Sequence, residues 1–328
     1  MNQGGGRVRI LQFAGIGLAA VIAAFGAQAQ NYPDRPLRLV VPQPAGGGYD
    51  LVGRIAADKL TQLLGQSVIV ENKTGAGTRA GTDFVAKAPA DGYTLLVGAS
   101  PNIVFNPALY KDLPHNTEKD FTPVGLFVEF TYTLVTRNDL PQKNLPDLIA
   151  FAKANPDKVT YASGGLGTGQ HIAMAVLSNL AGIKTVHVPY RGAQQAYQDV
   201  IAGRVDLFFD NVTTARPLVD GGQVRAIATS ASKRVPVHPD IPTVRETGVA
   251  NFVLETWFGI FVHSATPKPI FERLRGEMAK IAVMPDVVDR FAKMGATPIH
   301  PSVEETGRMV HDDIILWKKL LQDAGVEG

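Results

Sequence analysis

The sequence predicts an α/β fold built from parallel-rich sheets flanked by helices. Short apolar segments, such as residues 37–41 and 159–162, alternate along the chain with longer segments of helical periodicity. Strands separated by helices of this length are typical of parallel sheets with helices on both faces. About 300 residues follow the first 29, and at roughly 150 residues per domain this length predicts two domains.

The predicted strands are short apolar runs that end at turn-forming residues. They are residues 37–41, 68–70, 94–97, 159–162, 186–188, 207–209, 225–229 and 258–262. The predicted helices carry apolar residues at helical spacing. They begin near residue 50, cover 80–88, follow 144–146, and cover 170–181, 193–202 and 267–284. Ser302 and Glu305 form a capping-box pattern that predicts the start of the last helix.

The N-terminus has the order of features found in a secretory signal peptide. Arg7 and Arg9 precede an uncharged apolar stretch at residues 10–25, and residues 27–29 fit the small-x-small cleavage rule. The stretch is shorter than the roughly 20 apolar residues of a membrane span. We interpret residues 1–29 as a cleaved signal peptide, with a short buried helix as the alternative. With no Cys to carry a lipid anchor, an exported protein of this kind is expected in the periplasm.

Charge and composition exclude several classes of function. Removing residues 1–29 lowers the Lys and Arg count from 32 to 30, which equals the 30 acidic residues. A formally neutral chain without a long basic run gives no basis for nucleic-acid or anionic-lipid binding. Cysteine is absent and the seven His are scattered without an HExxH pattern, so we expect no metal and no cofactor. We also expect a monomer.

The stretch at residues 42–50, the first glycine loop, is the most informative candidate site. A predicted strand ends, three consecutive Gly follow, and a helix begins. Bare backbone amides and a helix N-terminus together form an anion-binding site at the carboxyl end of a parallel strand. A tight turn without a ligand is the alternative. The candidate ligand-binding residues here are Gln43, Ala45, Gly46, Gly47, Gly48, Tyr49 and Asp50.

A second stretch at residues 163–169, the second glycine loop, repeats this pattern after the strand at 159–162. The hydroxyls of Ser163 and Thr168 beside bare amides suit a carboxylate. Two such loops predict a ligand held from both sides. His171 follows the loop, and a solvent-facing residue in the first turn of a helix is its alternative interpretation. The candidates here are Ser163, Gly164, Gly167, Thr168 and His171.

Other loops at strand ends suit the same cleft, namely residues 75–79, 100–102, 189–192 and 210–211. They add Ser100, Asn102, Tyr190, Arg191 and Asp210 to the candidates. Arg79 and Arg191 are suited to pairing with a carboxylate, or are solvated surface residues. Asp50 and Asp210 would repel an anion, so we expect them to cap a helix, lock a loop, or hold a water or ligand hydroxyl.

The sequence does not match the residue spacing of known nucleotide-binding and catalytic motifs. The glycines at 75 and 77 resemble a dinucleotide fingerprint but stand four residues after their strand, and no GxxxxGK[ST] run exists. No GxSxG elbow is present. A hydrolase with Ser100 or Ser163 as nucleophile stays an alternative, although the sequence shows no positioned base. We therefore expect a binding protein rather than an enzyme.

The residues then match a known family. The sequence resembles the periplasmic substrate-binding proteins of tripartite tricarboxylate transporters, the Bug family, over nearly all of the chain after residue 29. The shared runs include YPDRPLRLVVPQPAGGGYD (32–50), SGGLGTGQH (163–171), HVPYRGA (187–193), FDN (209–211) and IPTVRETG (241–248). Each run is moderately specific, whereas their number and order together are strongly indicative.

The resemblance implies a two-domain periplasmic binding protein fold of type II, the Venus flytrap. Residues 30–130 and 254–328 would form one domain and residues 131–253 the other. It implies a small organic carboxylate as ligand (a di- or tricarboxylate or an aromatic acid), delivered to the membrane permease subunits of such a transporter. A ligand-sensing partner of a two-component sensor kinase is the alternative.

Three residues depart from the family pattern on candidate loops. Gln43 stands where an aromatic residue is frequent, Tyr49 where a small hydroxyl residue is frequent, and Arg79 where Gly or Asn is frequent. Tyr49 either stacks on an aromatic acid or faces solvent beside the cleft.

Overall fold

A computed structural model describes residues 32–323 and 325–326. The predicted signal peptide, residues 1–29, lies outside the described residues. In chain order the elements are β1 (Leu37–Val41), α1 (Gly48–Leu64), β2 (Val68–Asn72), α2 (Arg79–Ala86), β3 (Thr94–Ala99), α3 (Asn106–Leu109), α4 (Thr117–Asp120), β4 (Phe121–Thr136), α5 (Leu145–Ala154), β5 (Val159–Ser163), α6 (Gly169–Ala181), β6 (Thr185–Pro189), α7 (Ala193–Ile201), β7 (Leu207–Asn211), α8 (Val212–Asp220), β8 (Arg225–Thr229), β9 (Glu255–His263), α9 (Lys268–Ala282), α10 (Pro285–Lys293), β10 (Thr297–Pro298) and α11 (Val303–Asp323).

The strands form one continuous mixed sheet, which confirms the α/β prediction. Its order is β2-β1-β3-β9-β4-β7-β5-β6, with β8 and β10 also paired to β4. β1 is parallel to β2 and β3, and β5 is parallel to β6 and β7. The two long strands at the centre, β4 and β9, are antiparallel to each other. Among the described strands four pairings are parallel and five are antiparallel, so the sheet is mixed and the predicted parallel-rich character is wrong.

The strand β4 belongs to two groups of strands. From Phe121 to Thr131 it pairs with β9, and from Tyr132 onward it pairs with β7. The first strand group is thus β2, β1, β3 and β9 with the first part of β4. The second strand group is β7, β5, β6 and β8 with the last part of β4.

Ser230 joins the two segments of chain that pass between the strand groups. Its hydroxyl accepts a hydrogen bond from the Tyr132 amide at 2.8 Å and donates one to the Leu254 carbonyl at 2.5 Å. The Leu254 amide donates to the Ser230 carbonyl at 2.9 Å. Because Ser230 is fully buried, these bonds are shielded from water and hold the two crossing segments together.

The last helix begins where the sequence pattern predicts. The capping box is confirmed, because the Ser302 hydroxyl accepts from the Glu305 amide at 3.1 Å and the Glu305 carboxylate accepts from the Ser302 amide at 2.7 Å. The helix that follows packs Trp317 on Phe105 with ring centroids 4.6 Å apart. No helix in the described part of the chain is long and apolar enough to cross a bilayer.

Candidate functional site

A cavity lies where the carboxyl ends of β1 and of β5–β7 meet. We call it the inner cavity; its volume is about 170 Å³. The residues that line it are Gln43, Pro44, Ala45, Gly47, Gly48, Gln170, Arg191, Gly192, Ala193, Gln194, Gln195 and Asp210. Pockets for drug-sized ligands enclose roughly 300–1,000 Å³, so the inner cavity suits a ligand of few non-hydrogen atoms. Six of the predicted site residues are among its lining.

The Asp50 side chain holds the first glycine loop in place. The Asp50 carboxylate accepts hydrogen bonds from the Gly46 amide at 3.0 Å, Arg54 Nε at 2.9 Å and Asn72 Nδ2 at 3.1 Å. Burial raises the pKa of this carboxyl, but the hydrogen bonds from Arg54, Gly46 and Asn72 outweigh burial and hold the pKa below its usual value. The prediction that Asp50 locks a loop is confirmed.

Gly47 and Gly48 line the inner cavity at the start of α1. Gly47 is the N-cap of the 17-residue helix α1, and no side chain caps that helix. Amides at the start of a helix have no intrahelical acceptor and carry partial positive charge. A Cβ on Gly48 would lie 2.5 Å from Asn211 Nδ2, so the Asn211 side chain of the second strand group packs closely against this glycine. The uncapped start of α1 therefore has the features of an anion-binding site.

Tyr49 and Asn102 lie in the core and line neither this cavity nor its neighbour. Tyr49 is 2% exposed, its ring packs edge-on against Phe258 with centroids 4.9 Å apart, and its hydroxyl donates to Asn102 Oδ1 at 2.9 Å. Asn102 Oδ1 also accepts from the Ala99 amide at 2.8 Å. The expectations that Tyr49 stacks on a ligand or faces solvent are wrong, because it lies on the buried face of α1.

The second glycine loop uses its hydroxyls internally. The Gly165 amide donates to Ser163 Oγ at 3.0 Å, and the Thr168 hydroxyl donates to the Gly165 carbonyl at 2.7 Å. Ser163 Oγ also lies 2.5 Å from His187 Nε2. Neither Ser163 nor Thr168 lines the inner cavity. In this arrangement both hydroxyls stabilise the turn itself.

Glycines of the second loop instead touch the first strand group. A Cβ on Gly167 would lie 2.5 Å from Asn106 Oδ1. On the other side, a Cβ on Gly77 would lie 1.8 Å from the Leu166 carbonyl oxygen. The second glycine loop therefore forms a close backbone contact across the cleft.

His171 is buried beside His187, with ring centroids 4.7 Å apart. Burial, and secondly the neighbouring His187, lower the pKa of His171 to about 4. Burial also lowers the pKa of His187. The alternative of a solvent-facing His171 is wrong, and the imidazole is neutral at pH 7.

Asp210 closes the far side of the inner cavity at the end of β7. It is 1% exposed; its carboxylate accepts hydrogen bonds from Gln170 Nε2 at 3.3 Å and from the Thr214 hydroxyl at 2.5 Å. Burial raises the pKa of this carboxyl to about 6, although Thr214 and Gln170 oppose the rise. At pH 7 a carboxyl with this pKa is still mostly ionised, so Asp210 would repel an anion placed directly against it.

A second cavity of about 510 Å³ adjoins the first, and we call it the outer cavity. The residues that line it are Pro42, Gln43, Pro44, Thr74, Gly75, Ala76, Gly77, Thr78, Arg79, Gly164, Gly165, Leu166, Pro189, Tyr190 and Arg191. Gln43, Pro44 and Arg191 belong to both linings. The predicted residues Gly164 and Tyr190 are thus placed in the outer cavity. The Tyr190 hydroxyl donates to Asp199 at 2.5 Å.

The hydrolase alternative gains nothing from the two serines. Ser100 is 2% exposed, and its hydroxyl has no hydrogen-bond partner among the described residues. Ser163 is fully buried, and its hydroxyl, which lies 2.5 Å from His187 Nε2, also accepts from the Gly165 amide. In the described part of the chain, no group of three or more His, Asp or Glu side chains is placed to hold a metal ion.

Sequence reasoning missed several lining residues. Gln170, Gln194 and Gln195 lie in the first turns of α6 and α7 and face the inner cavity. Each follows a Gly-rich or Gly-ended loop at a strand terminus, so their position directly after such a loop was the available signal.

Comparison with known proteins places this architecture in one family. The family described as "Tripartite tricarboxylate transporter family receptor" matches residues 52–326. A UPF0065 protein from the tcbD-tcbE intergenic region of Pseudomonas sp. (strain P51) is 37% identical over 318 residues, which cover 96% of this chain and 94% of that protein.

Three solved structures share the fold at a similar level of identity. The periplasmic binding protein BugD is 34% identical with a TM-score of 0.86, covering 90% of this chain and 99% of BugD. Rpa4515 of R. palustris, solved with adipate, is 30% identical with a TM-score of 0.86 and the same coverages. MatC of Rhodopseudomonas palustris, solved with bound malate, is 32% identical with a TM-score of 0.84, covering 88% and 100%. These matches confirm the periplasmic binding protein fold.

Proposed function

Because this chain belongs to the family of tripartite tricarboxylate transporter receptors, we propose that it captures a small organic carboxylate in the inner cavity. The observation that carries the proposal is that Gly47 and Gly48 line that cavity at the N-terminus of α1, where backbone amides have no intrahelical acceptor. A carboxylate bound there would accept hydrogen bonds from both amides and interact favourably with the helix dipole. The buried carboxyl of Asp210 would form the opposite wall.

We propose that the two strand groups are the two domains, residues 30–130 with 254–328 and residues 131–253. The change of partner along β4 between Thr131 and Tyr132 supports this boundary. Rotation about the segments joined by Ser230 would open and close the cleft. Closure would bring the second glycine loop against Gly77 and bury the ligand.

The biological setting follows from family membership. The protein would be exported by a signal peptide at residues 1–29, reside in the periplasm, and deliver its ligand to membrane permease subunits. It would act by binding and release without catalysis. Relatives solved with adipate and malate support carboxylates as the ligand class.

Thermal unfolding of the processed protein, purified from the periplasm, tests this function. It would be measured with a panel of mono-, di- and tricarboxylates and aromatic acids, each beside its neutral amide. A ligand at 100 times its Kd adds about 2.7 kcal/mol to the free energy of unfolding, which raises Tm visibly. We expect a rise with carboxylates and none with amides. A flat panel would contradict the proposal.

Two variants at one position isolate the amide donor. Gly47→Ala keeps the N–H, and its Cβ would meet only ordinary contacts at 3.8 Å or more. Gly47→Pro removes the N–H. We expect the Ala variant to keep the ligand-induced rise in Tm and the Pro variant to lose most of it, while both unfold cooperatively without ligand.

A further inference from the structure

The outer cavity carries positive charge that no acidic residue in its lining neutralises. Arg79 and Arg191 both line it, and no Asp or Glu is among its lining residues. Neither arginine forms an ion pair within the described part of the chain, whereas Arg38 pairs with Glu71 and Arg54 with Asp50. Two unneutralised guanidinium groups beside a ligand cleft attract a further anionic group.

The guanidinium of Arg79 is held in place by neutral groups. Its Nε donates to the Ala76 carbonyl at 2.9 Å, and its central carbon lies 3.8 Å from the centroid of the Tyr110 ring. These contacts, a hydrogen bond and a cation–π interaction, fix the side chain without neutralising its charge, and its terminal NH₂ groups form no hydrogen bond with any described residue. A pre-positioned guanidinium of this kind suits bidentate binding of a carboxylate.

Arg191 connects the two cavities. It lines both of them, at the point where they share Gln43 and Pro44. In the inner cavity, one carboxylate would be satisfied by the amides of Gly47 and Gly48. A ligand extending past Arg191 would then present its other end to Arg79.

We infer that Arg79 and Arg191 bind the second carboxylate of a dicarboxylic acid whose first carboxylate lies at the Gly47 and Gly48 amides. The inference rests on the proposed function and deepens it by assigning the residues that distinguish a linear diacid, extending from the inner into the outer cavity, from a monoacid. Arg79 is the specificity-determining residue, because it belongs to the outer cavity alone.

Isothermal titration calorimetry of the processed protein tests this assignment. Succinate, adipate and suberate are compared with butyrate, hexanoate and octanoate, the monocarboxylates of equal chain length. We expect the best diacid to bind about 10- to 100-fold more tightly than its matched monocarboxylate, as for one added charge-assisted hydrogen-bonded contact. Arg79→Gln should remove most of that preference and change monocarboxylate binding by less than about threefold.

Further variants separate charge from structure. Arg191→Gln should also weaken diacid binding, and Arg79→Lys should recover part of it because the charge remains without the planar fork. Arg290→Gln, at an exposed position on α10, is the matched control and should bind like the wild type. Melting temperatures without ligand check that each variant is folded.

Two results would overturn the inference while leaving the proposed function intact. They are equal affinity for each diacid and its monocarboxylate, and equal weakening of both ligands by Arg79→Gln. If no carboxylate binds the wild type, the proposed function and the inference fall together.

Discussion

The two glycine loops have the same sequence pattern but different structures. Both follow a parallel strand, contain several Gly and lead into a helix. In the first loop, the Asp50 carboxylate accepts from the Gly46 amide, and the neighbouring Gly47 and Gly48 line a cavity. In the second, Ser163 and Thr168 bond to the loop's own Gly165. A Gly-rich turn is therefore a candidate anion site only when its donors are not used by its own side chains.

The largest effect is expected where the second loop meets the first strand group. Gly77→Ala places a Cβ 1.8 Å from the Leu166 carbonyl oxygen, so the backbone of one of the two loops must move away. We expect carboxylate affinity, measured by calorimetry, to fall by about 100-fold because the closed state is depopulated.

Gly65→Ala is the matched control for that variant. Gly65 has a similar left-handed backbone, with φ of 70° against 61° at Gly77, but nothing lies within 4 Å of its Cβ position. It should lose some stability and keep its affinity. Equal affinity of the two variants would show that the contact of the second loop plays no part in binding.

A second prediction concerns Asp210, opposite the first loop. Its pKa is about 6 in the folded protein against 3.8 for the ordinary group, so the folded state holds the proton more tightly than the unfolded chain. The contribution to stability is present below pH 3.8 and is lost as pH rises through about 6; this amounts to about 3 kcal/mol. Asp210→Asn should remove this component from urea unfolding measured between pH 4 and pH 7.

The groups around Asp210 do not mimic that titration. Tyr132 and Tyr197 face it from β4 and α7, and burial raises the pKa of both far above this range. Gln170 and Thr214 do not titrate. An Asp210→Asn variant with the wild-type pH dependence would contradict the assignment.

Loss of the lock on the first loop should have an intermediate effect. Asp50→Asn weakens the charge-assisted bonds to Gly46, Arg54 and Asn72, and we expect it to lower the free energy of unfolding by about 2 kcal/mol. Carboxylate binding should weaken by about tenfold because the amides are less well ordered beforehand. Asp58→Asn, at an exposed position on the same helix, is the control. Unchanged binding in Asp50→Asn would show that the hydrogen bonds of Asp50 to the first loop do not contribute to ligand binding.

The smallest effect on binding is expected in the second loop. Ser163→Ala removes the bonds to Gly165 and His187, so the free energy of unfolding should fall by about 1–2 kcal/mol in urea. Carboxylate affinity should change by less than about threefold, because Ser163 does not line the inner cavity. Ser232→Ala, on the surface, should alter neither quantity. Loss of binding in Ser163→Ala at unchanged stability would contradict this prediction and show that the second loop also binds the ligand.

The local elements could be predicted from the sequence because their signals are local. Apolar periodicity and a capping box predicted most helices and strands to within a few residues, as the bonds between Ser302 and Glu305 at the start of the last helix show. The strand β4 was missed because Pro123 and Gly125 interrupt its first part with residues that usually break strands. Its pairing with β9 joins residues more than a hundred positions apart, which no local pattern reports.

The candidate site was predictable in part. The first glycine loop and Asp210 follow from their place at strand ends. Tyr49 was wrongly predicted to lie at the cleft. Its helical spacing from Val52 and Ala56 puts it on the buried face of α1, so the apolar periodicity already indicated a core position. Gln194 was missed although it directly follows a loop at a strand end; only its approach to Gly46 depends on how the two strand groups meet.

A crystal structure of the processed protein with the carboxylate that raises Tm most tests the central claim directly. We expect one carboxylate group in the inner cavity, with its oxygens about 3 Å from the amide nitrogens of Gly47 and Gly48. A carboxylate held instead by the amides of residues 164–168, or bound outside the inner cavity, would contradict the account.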